Sequence, residues 1–224
     1  MIGFWKYELT IEYVDTDQLE IVNSIFDRLN RNGEPLTHQE LRRAKYHDSE
    51  FYGLIKKAVN IDFWQQPFEK LQKNRLEHEE FTSELLFIIL ENNIFTGDRT
   101  EVIDDLFLKY ATNKLSDEAK VLSEFESISE ILNSFDLDFE KYKIYGVSHL
   151  YGLFGLGWYL NSENIKVEAI DTKLNQFYEV LRNREDNPQI NEYKISMSAG
   201  TKSRSRRIKR INALLEYLGQ DRIK

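Results

Sequence analysis

Cysteine is absent from this chain of 224 residues, and only three prolines interrupt it. The absence of cysteine excludes disulfides, thiolate metal sites and cysteine nucleophiles. Four histidines occur, at positions 38, 47, 78 and 149, and none stands at zinc-ligand spacing from another. We therefore expect no metal site and no catalytic cysteine.

Long apolar runs are also missing. No run approaches the roughly 20 residues that a membrane-spanning helix needs, and Met1 is followed by no basic and apolar signal segment. Hydrophobic residues make up 41% of the chain, enough for a core in one large domain or two small ones. These features predict a globular protein of the cytoplasm that has no membrane partner.

Charge is unevenly spread. The net charge is -8, yet residues 194–210 contain seven basic residues and no acidic one. Such asymmetry suggests a local anion-binding surface on an otherwise acidic protein.

The N-terminal segment alternates apolar and polar residues with period two over residues 7–14, which predicts a strand. No convincing partner strand follows, and a lone strand leaves its backbone groups unpaired. We infer that the strand pairs either with another chain or with residues that are missing from this one. The N-terminus therefore looks cut from something larger.

Apolar residues recur at three- and four-residue spacing through the rest of the chain, which predicts helices. The fold class is therefore mainly α: a compact multi-helix domain with a single N-terminal β-strand. A capping box at residues 37–40 opens one helix after the glycine stop at Gly33. Further helices are predicted at 50–60, 79–92, 101–110, 117–135, 148–160, 166–182 and 203–218.

Residues 25–44 are predicted to form a helix, a glycine stop and a second capped helix. Arg28, Asn30 and Arg31 lie at the end of the first helix, beside the start of the second. Because helix N-termini favour anions, these residues could form a pocket for a phosphate-rich ligand. The alternative is that they are solvated cap residues.

Six residues in this stretch match a known pattern in order: Phe26, Arg28, Asn30, Gly33, Leu36 and Glu40. Residues 75–81 (RLEHEEF) add a second, looser match. A third comprises Tyr193, the hydroxyls Ser198, Thr201 and Ser203, and the arginines Arg206, Arg207 and Arg210. Together they resemble the GmrSD-type, ParB-like domain-of-unknown-function restriction family.

The resemblance implies a ParB-like N-terminal domain with a DGQQR-type motif for nucleotide hydrolysis or DNA nicking, then a helical domain and often an HNH nuclease. It also implies that Arg28, Asn30 and Arg31 contact a nucleoside triphosphate bound with Mg²⁺. This chain has neither a DGQQR-type sequence nor an HNH motif. Residues 1–47 would be a remnant of the ParB-like domain, and residues 48–224 the helical domain. The chain alone would have no catalytic residues, and a partner protein would supply the missing half.

The last predicted helix combines an apolar face with a basic cluster formed by Lys202, Arg204, Arg206, Arg207, Lys209 and Arg210. Its apolar face would pack on the core, so the basic residues should point outward. They would then contact DNA phosphates, or they would pair with acidic residues of the same protein. The sequence leaves both alternatives open.

Residues 145–158 contain four glycines within an apolar, aromatic run. A phosphate loop would follow a strand and open a helix, so close helix packing is the better interpretation. His149, within this run, is interpreted as a hydrogen-bonded core residue. The adjacent acidic pairs 79–80 and 104–105 are interpreted as solvated helix faces.

Two hypotheses for function follow. The first is a non-catalytic helical module of a nucleotide-dependent DNA restriction or phage-defence protein. The alternative is an interaction module whose N-terminal strand docks onto the sheet edge of a partner protein. A self-sufficient hydrolase has little support, because no nucleophile–base constellation is visible.

Overall fold

The structure is a computed structural model that describes residues 13, 18, 21, 22, 24, 25 and 35–223. Contacts divide the chain into two compact units, Met1–Thr37 and His38–Lys224. The predicted strand at residues 7–14 lies outside the described residues except for Tyr13, and the predicted site of Arg28, Asn30 and Arg31 lies wholly outside them. The division into residues 1–47 and 48–224 stays a prediction.

The unit His38–Lys224 is helical, which confirms the mainly α class. Within its described residues, nine α-helices follow one another. They are α1 (His38–Tyr46), α2 (Glu50–Val59), α3 (Glu77–Glu91), α4 (Thr100–Thr112), α5 (Glu118–Ser134), α6 (Val147–Ser162), α7 (Ile170–Asn183), α8 (Pro188–Ser196) and α9 (Arg204–Tyr217). Three short 3₁₀ helices, Asp62–Trp64, Pro67–Lys70 and Lys73–Arg75, connect α2 to α3. None of these helices is both long enough and apolar enough to cross a membrane.

The predicted helices between residues 50 and 218 are all present, but α8 was not predicted. Its start follows ordinary rules nonetheless. The Asn187 side chain accepts a hydrogen bond of 3.0 Å from the Ile190 N–H, and Pro188 occupies the first turn. Only nine residues long and with little apolar periodicity, α8 is fixed by its packing against α9.

Helix α6 lies at the centre of this unit and packs against α3, α5 and α9. Most of its residues are buried, as expected of a helix that is apolar all round. A Cβ on Gly152 would lie 2.7 Å from the Arg210 Cδ, and one on Gly157 would lie 2.5 Å from the Leu132 Cδ1. The close-packing interpretation is confirmed for Gly152, Gly155 and Gly157, which set the distance between α6 and its neighbours α5 and α9. It is wrong for Gly146, which is the N-cap residue of α6 with a φ of 77° and would bring a Cβ within 4 Å of nothing.

Candidate functional site

The basic helix α9 holds one arginine inside the protein. Arg207 is buried, pairs with the buried carboxylate of Glu84 on α3, and donates a 2.9 Å hydrogen bond to the Phe95 carbonyl. Its guanidinium lies 3.8 Å from the ring centroid of Tyr151. Burial lowers the pKa of Arg207, but Glu84 and Tyr151 outweigh burial, so the net shift is upward. Arg207 therefore stays charged and ties α9 to α3.

Arg210, one turn later, is fully buried against α6. One of its terminal nitrogens donates to the carbonyls of Ser196 and Thr201, at 2.9 and 3.2 Å. Its Nε and other terminal nitrogen have no hydrogen-bond partner among the described residues. The expectation that the basic residues of this helix point outward is thus wrong for Arg207 and Arg210. Arg207 points inward because it pairs with Glu84, and Arg210 because the small residue Gly152 of α6 leaves room for its side chain.

Three other members of the predicted cluster lie nearer the surface at the start of α9. Arg204 donates from its Nε to the Ile94 carbonyl at 2.9 Å, and Arg206 donates to the Ile195 carbonyl at 2.8 Å. Lys202 lies 3.7 Å from Glu84. Hydrogen bonds to carbonyl oxygens orient the guanidinium groups of Arg204 and Arg206 but do not neutralise them. Both residues therefore keep a positive charge near the surface.

A cavity of about 480 Å³ opens at the N-terminus of α9. It is lined by Asn93, Ile94, Phe95, Thr96, Asp98, Arg99, Val102, Ser203, Arg204 and Ser205. Ser203 is the N-cap residue, but its side chain makes no capping bond, and its hydroxyl lies 3.4 Å from that of Ser205. Asp98, the one carboxylate among the described lining residues, accepts a hydrogen bond from the Thr96 hydroxyl. Three hydroxyls, two arginines and one carboxylate thus lie around the positive end of a 14-residue helix.

A second cavity of about 650 Å³ adjoins the first and shares Asn93, Ile94 and Arg204 with it. It also includes Trp158, Tyr159 and Arg222. Arg222 pairs with Glu192 at 2.5 Å and with Glu216 at 3.3 Å, so its charge is compensated. Glu163 also lines the second cavity, so Arg204 lies between two concavities that each include one carboxylate among their described lining residues.

Two of the sequence segments that carry the resemblance lie side by side. Glu40 of α1 pairs with Arg75 at 3.3 Å, and Arg43 approaches Glu79 to 3.8 Å. Glu79 also accepts a hydrogen bond from the Tyr52 hydroxyl. Burial and this bond raise the pKa of Tyr52. Helix α1 and the 75–81 segment thus meet through ion pairs, a contact that sequence spacing did not reveal.

The acidic pairs of α3 and α4 are not merely solvated faces. Glu79 is buried, and Asp104 accepts a 2.7 Å hydrogen bond from the buried guanidinium of Arg42. Arg42 also approaches Glu80 to 3.7 Å and lies 5.3 Å from the ring centroid of Phe107. The solvated interpretation is wrong for Glu79, which is buried where α1 packs on α3. Asp104 is half-exposed, as that interpretation expects, although it also pairs with Arg42.

His149 is a hydrogen-bonded core residue, as predicted. Its Nδ1 lies 2.8 Å from the Tyr193 hydroxyl, which lies 3.2 Å from the Tyr178 hydroxyl. Burial, with Arg182 and Arg210 nearby, lowers the pKa of His149 to about 3. Burial also raises the pKa of Tyr193, to about 12. The three side chains are therefore uncharged at neutral pH.

Known proteins offer no guide to this arrangement. No family model, no curated protein and no solved structure matches the chain. Within the described residues, no group of three or more histidine, aspartate or glutamate side chains is placed to hold a metal ion. The interpretation of the site therefore depends on its own geometry.

Proposed function

We propose that this chain is the helical, non-catalytic module of a nucleotide-dependent DNA restriction or phage-defence protein. In this role the start of α9 contacts DNA phosphates. Arg28, Asn30 and Arg31 contribute to a nucleoside triphosphate site with Mg²⁺, and a partner protein supplies the rest of that site. The resemblance to the GmrSD-type family motivates the nucleotide part, and the geometry around α9 supports the DNA part.

The observation that carries the DNA part is the cavity at the N-terminus of α9. Arg99, Ser203, Arg204 and Ser205 converge there. Phosphate oxygens are commonly bound by arginine, serine and the N–H groups of a helix N-terminus together. The buried pair of Arg207 and Glu84 fixes this end of the helix against α3, so the binding groups are held in place before a ligand arrives.

The net charge of -8 opposes DNA binding at long range. Binding must therefore depend on a local group of cations, and it should be weak and strongly salt-dependent. Lys202, Arg204 and Arg206 are the predicted contacts that the structure leaves near the surface. Arg207 and Arg210 are buried, so we assign them a supporting rather than a contacting role.

The DNA test is fluorescence anisotropy with a labelled duplex of about 20 base pairs, titrated at several salt concentrations. We expect saturable binding by the wild type at low salt. Arg204→Ala should weaken binding. It should also make the plot of log K against log salt less steep by about 0.9, the slope that one phosphate contact contributes. Lys57→Ala is the control, because Lys57 lies on α2 and is paired with Glu118 at 2.7 Å.

Absence of saturable binding at low salt would overturn the DNA part of the proposal. An equal loss of binding in Arg204→Ala and Lys57→Ala would do the same, because it would show a general charge effect rather than a site.

The nucleotide test is thermal stability with each nucleoside triphosphate and Mg²⁺, in the wild type and in Arg28→Ala. A ligand present at about 100 times its dissociation constant stabilises a protein by roughly 2.7 kcal/mol. We expect one triphosphate to stabilise the wild type and to lose this effect in Arg28→Ala. If no triphosphate acts on the chain, or if the effect survives in Arg28→Ala, the proposed nucleotide contacts are wrong.

A further inference from the structure

A third cavity, of about 370 Å³, lies between α6, α7 and α8, on residues that no part of the proposed function uses. We call it the His149 pocket. It is lined by His149, Leu181, Arg182, Arg184, Tyr193, Lys194 and Met197. Its volume falls within the range of small-molecule sites, which combine apolar walls with a few polar groups.

The polar rim of the His149 pocket carries charge of one sign. Arg182, Arg184 and Lys194 are all cationic, and no carboxylate occurs among the described residues that line the pocket. Glu185 and Asp186 follow Arg184 directly, but they accept hydrogen bonds from Asn183 and Asn191 instead. Three cations thus face one cavity in a protein whose net charge is -8.

These cations also lack compensation elsewhere. Within residues 35–223, none of Arg182, Arg184 and Lys194 forms an ion pair. The Arg182 guanidinium donates only to the carbonyls of Tyr142 and Lys143, at 2.5 and 3.0 Å. These bonds orient the group but leave its charge in place.

A fourth cation, Arg210, is buried next to the pocket and adds to its positive potential. Arg210 is fully buried, and within residues 35–223 two of its nitrogens lack a hydrogen-bond partner. Its charge, together with that of Arg182, acts on His149, Tyr178 and Tyr193. A buried charge without a counter-ion is costly, and an anion bound in the pocket would reduce that cost.

The polar network under the pocket supplies one more donor. If the Tyr178 hydroxyl donates to Tyr193, and Tyr193 donates to the Nδ1 of His149, the remaining proton of the neutral imidazole is on Nε2. Both tyrosines have raised pKa values and keep their protons at neutral pH. In this tautomer His149 offers an N–H beside the three cations.

We propose that the His149 pocket binds a small phosphate monoester, such as a sugar phosphate, through its three cations and the imidazole N–H. Cationic donors match the oxygens of a phosphate group, and several cations favour a dianion over a carboxylate. Leu181 and Met197 give the pocket an apolar wall, and its volume exceeds what a phosphate group alone needs. The organic part of the ligand would pack on that wall.

The test is calorimetric titration of the full chain with ribose 5-phosphate, inorganic phosphate and ribose, at constant ionic strength set with sodium chloride. We expect ribose 5-phosphate to bind best, inorganic phosphate to bind more weakly, and ribose not to bind. Lys194→Ala and Arg184→Asn should each weaken ribose 5-phosphate binding about tenfold. Asparagine is chosen at 184 because this residue has a φ of 59°, which asparagine tolerates.

Lys173→Ala is the matched control, because Lys173 lies on α7 with Arg182 but does not line the pocket. We expect it to bind ribose 5-phosphate as the wild type does. No saturable binding, or equal weakening in Lys173→Ala and Lys194→Ala, would overturn the proposal. Equal affinity for inorganic phosphate and ribose 5-phosphate would overturn the monoester assignment. An effect of a nucleoside triphosphate that is lost in Arg28→Ala but kept in Lys194→Ala would belong to a different site.

Discussion

Two arginines one turn apart on α9 meet opposite electrostatic conditions. Arg207 faces the carboxylate of Glu84 and the ring of Tyr151, whereas the partners of Arg210 in the described part of the chain are carbonyl groups. Burial lowers the pKa of Arg210, partly offset by Tyr193 and reinforced by Arg207, while the pKa of Arg207 shows a net rise. Arg207 therefore serves to join helices, and Arg210 serves as an uncompensated positive charge next to the His149 pocket.

Removing the partner of Arg207 tests the joining role. We expect Glu84→Gln to reduce the free energy of unfolding by about 3 kcal/mol or more, since it leaves a buried guanidinium without a counter-charge. Urea unfolding measures the change. Glu91→Gln is the control, because its ion pair with the half-exposed Lys109 should contribute at most about 1 kcal/mol. Equal losses in the two variants would contradict a special role for the buried pair.

The neutral state of His149 predicts a specific dependence of stability on pH. The pKa of His149 is lowered to about 3, whereas an unfolded histidine titrates near pH 6.5. Below about pH 6.5 His149 is protonated in the unfolded chain but stays neutral in the folded chain. Stability therefore falls as the pH drops from about 6.5 toward 3.

At pH 5 this contribution amounts to about 2 kcal/mol. Between pH 7.5 and pH 5 the free energy of unfolding should fall by about 2 kcal/mol less in His149→Phe than in the wild type. Urea unfolding at both pH values measures the difference. His78, whose pKa is also lowered by burial, is present in both proteins and cancels in the difference. Identical pH dependence in the two proteins would show that His149 does not stay neutral when folded.

Among the elements, α6 decides how closely the centre of the helical unit packs. Gly152 and Gly155 face the side chains of Arg210 and Ile211 on α9, and Gly157 faces Leu132 and Ile128 on α5. Without these glycines, α9 would lie farther from α6. Arg210 would then not reach the position from which it acts on His149.

Two glycine substitutions separate packing from intrinsic helix preference. A Cβ at Gly155 would lie 2.7 Å from the Cγ1 of the buried Ile211, whereas a Cβ at Gly53 in α2 would meet nothing within 4 Å. We expect Gly155→Ala to destabilise the protein by about 1–3 kcal/mol through overpacking. Gly53→Ala should stabilise it by roughly 0.5–1 kcal/mol, because alanine favours a helix interior. Chemical denaturation measures both changes, and a stabilising Gly155→Ala would refute the close-packing role.

For the whole molecule, the main question is where the helical unit begins. Contacts assign α1 to the unit His38–Lys224, and α1 packs on α3 and α4. Arg42 supplies a bond to Asp104 and a contact with the ring of Phe107. Helix α1 is therefore built into the helical unit rather than merely preceding it.

Two fragments test this division. We expect residues 38–224 to unfold cooperatively and to keep a helical circular dichroism spectrum, because this unit has its own core. A fragment of residues 48–224 should unfold at a clearly lower urea concentration, since it lacks the contacts of α1. If the two fragments are equally stable, the boundary predicted after residue 47 is the correct one. If residues 38–224 show no cooperative transition, the unit does not fold alone.

Local patterns in the sequence were enough to predict the helical class and most helix positions, because apolar periodicity and caps act within a few residues. They were also enough for the packing role of the α6 glycines, since glycine has few other reasons to occur in an apolar helix. The short helix α8 escaped prediction, because its position depends on α9 rather than on its own periodicity.

Which charges are buried, paired or free was decided only by the tertiary structure. The run Arg204, Arg206, Arg207 and Arg210 looks uniform in sequence, yet Glu84 lies more than 100 residues earlier and neutralises one of its members. Likewise, Arg182, Arg184 and Lys194 lie in two helices and the segment between them, and become one pocket only when α7 packs on α8. Coulomb energy depends on distance and burial in space, and neither quantity can be obtained from separation along the chain.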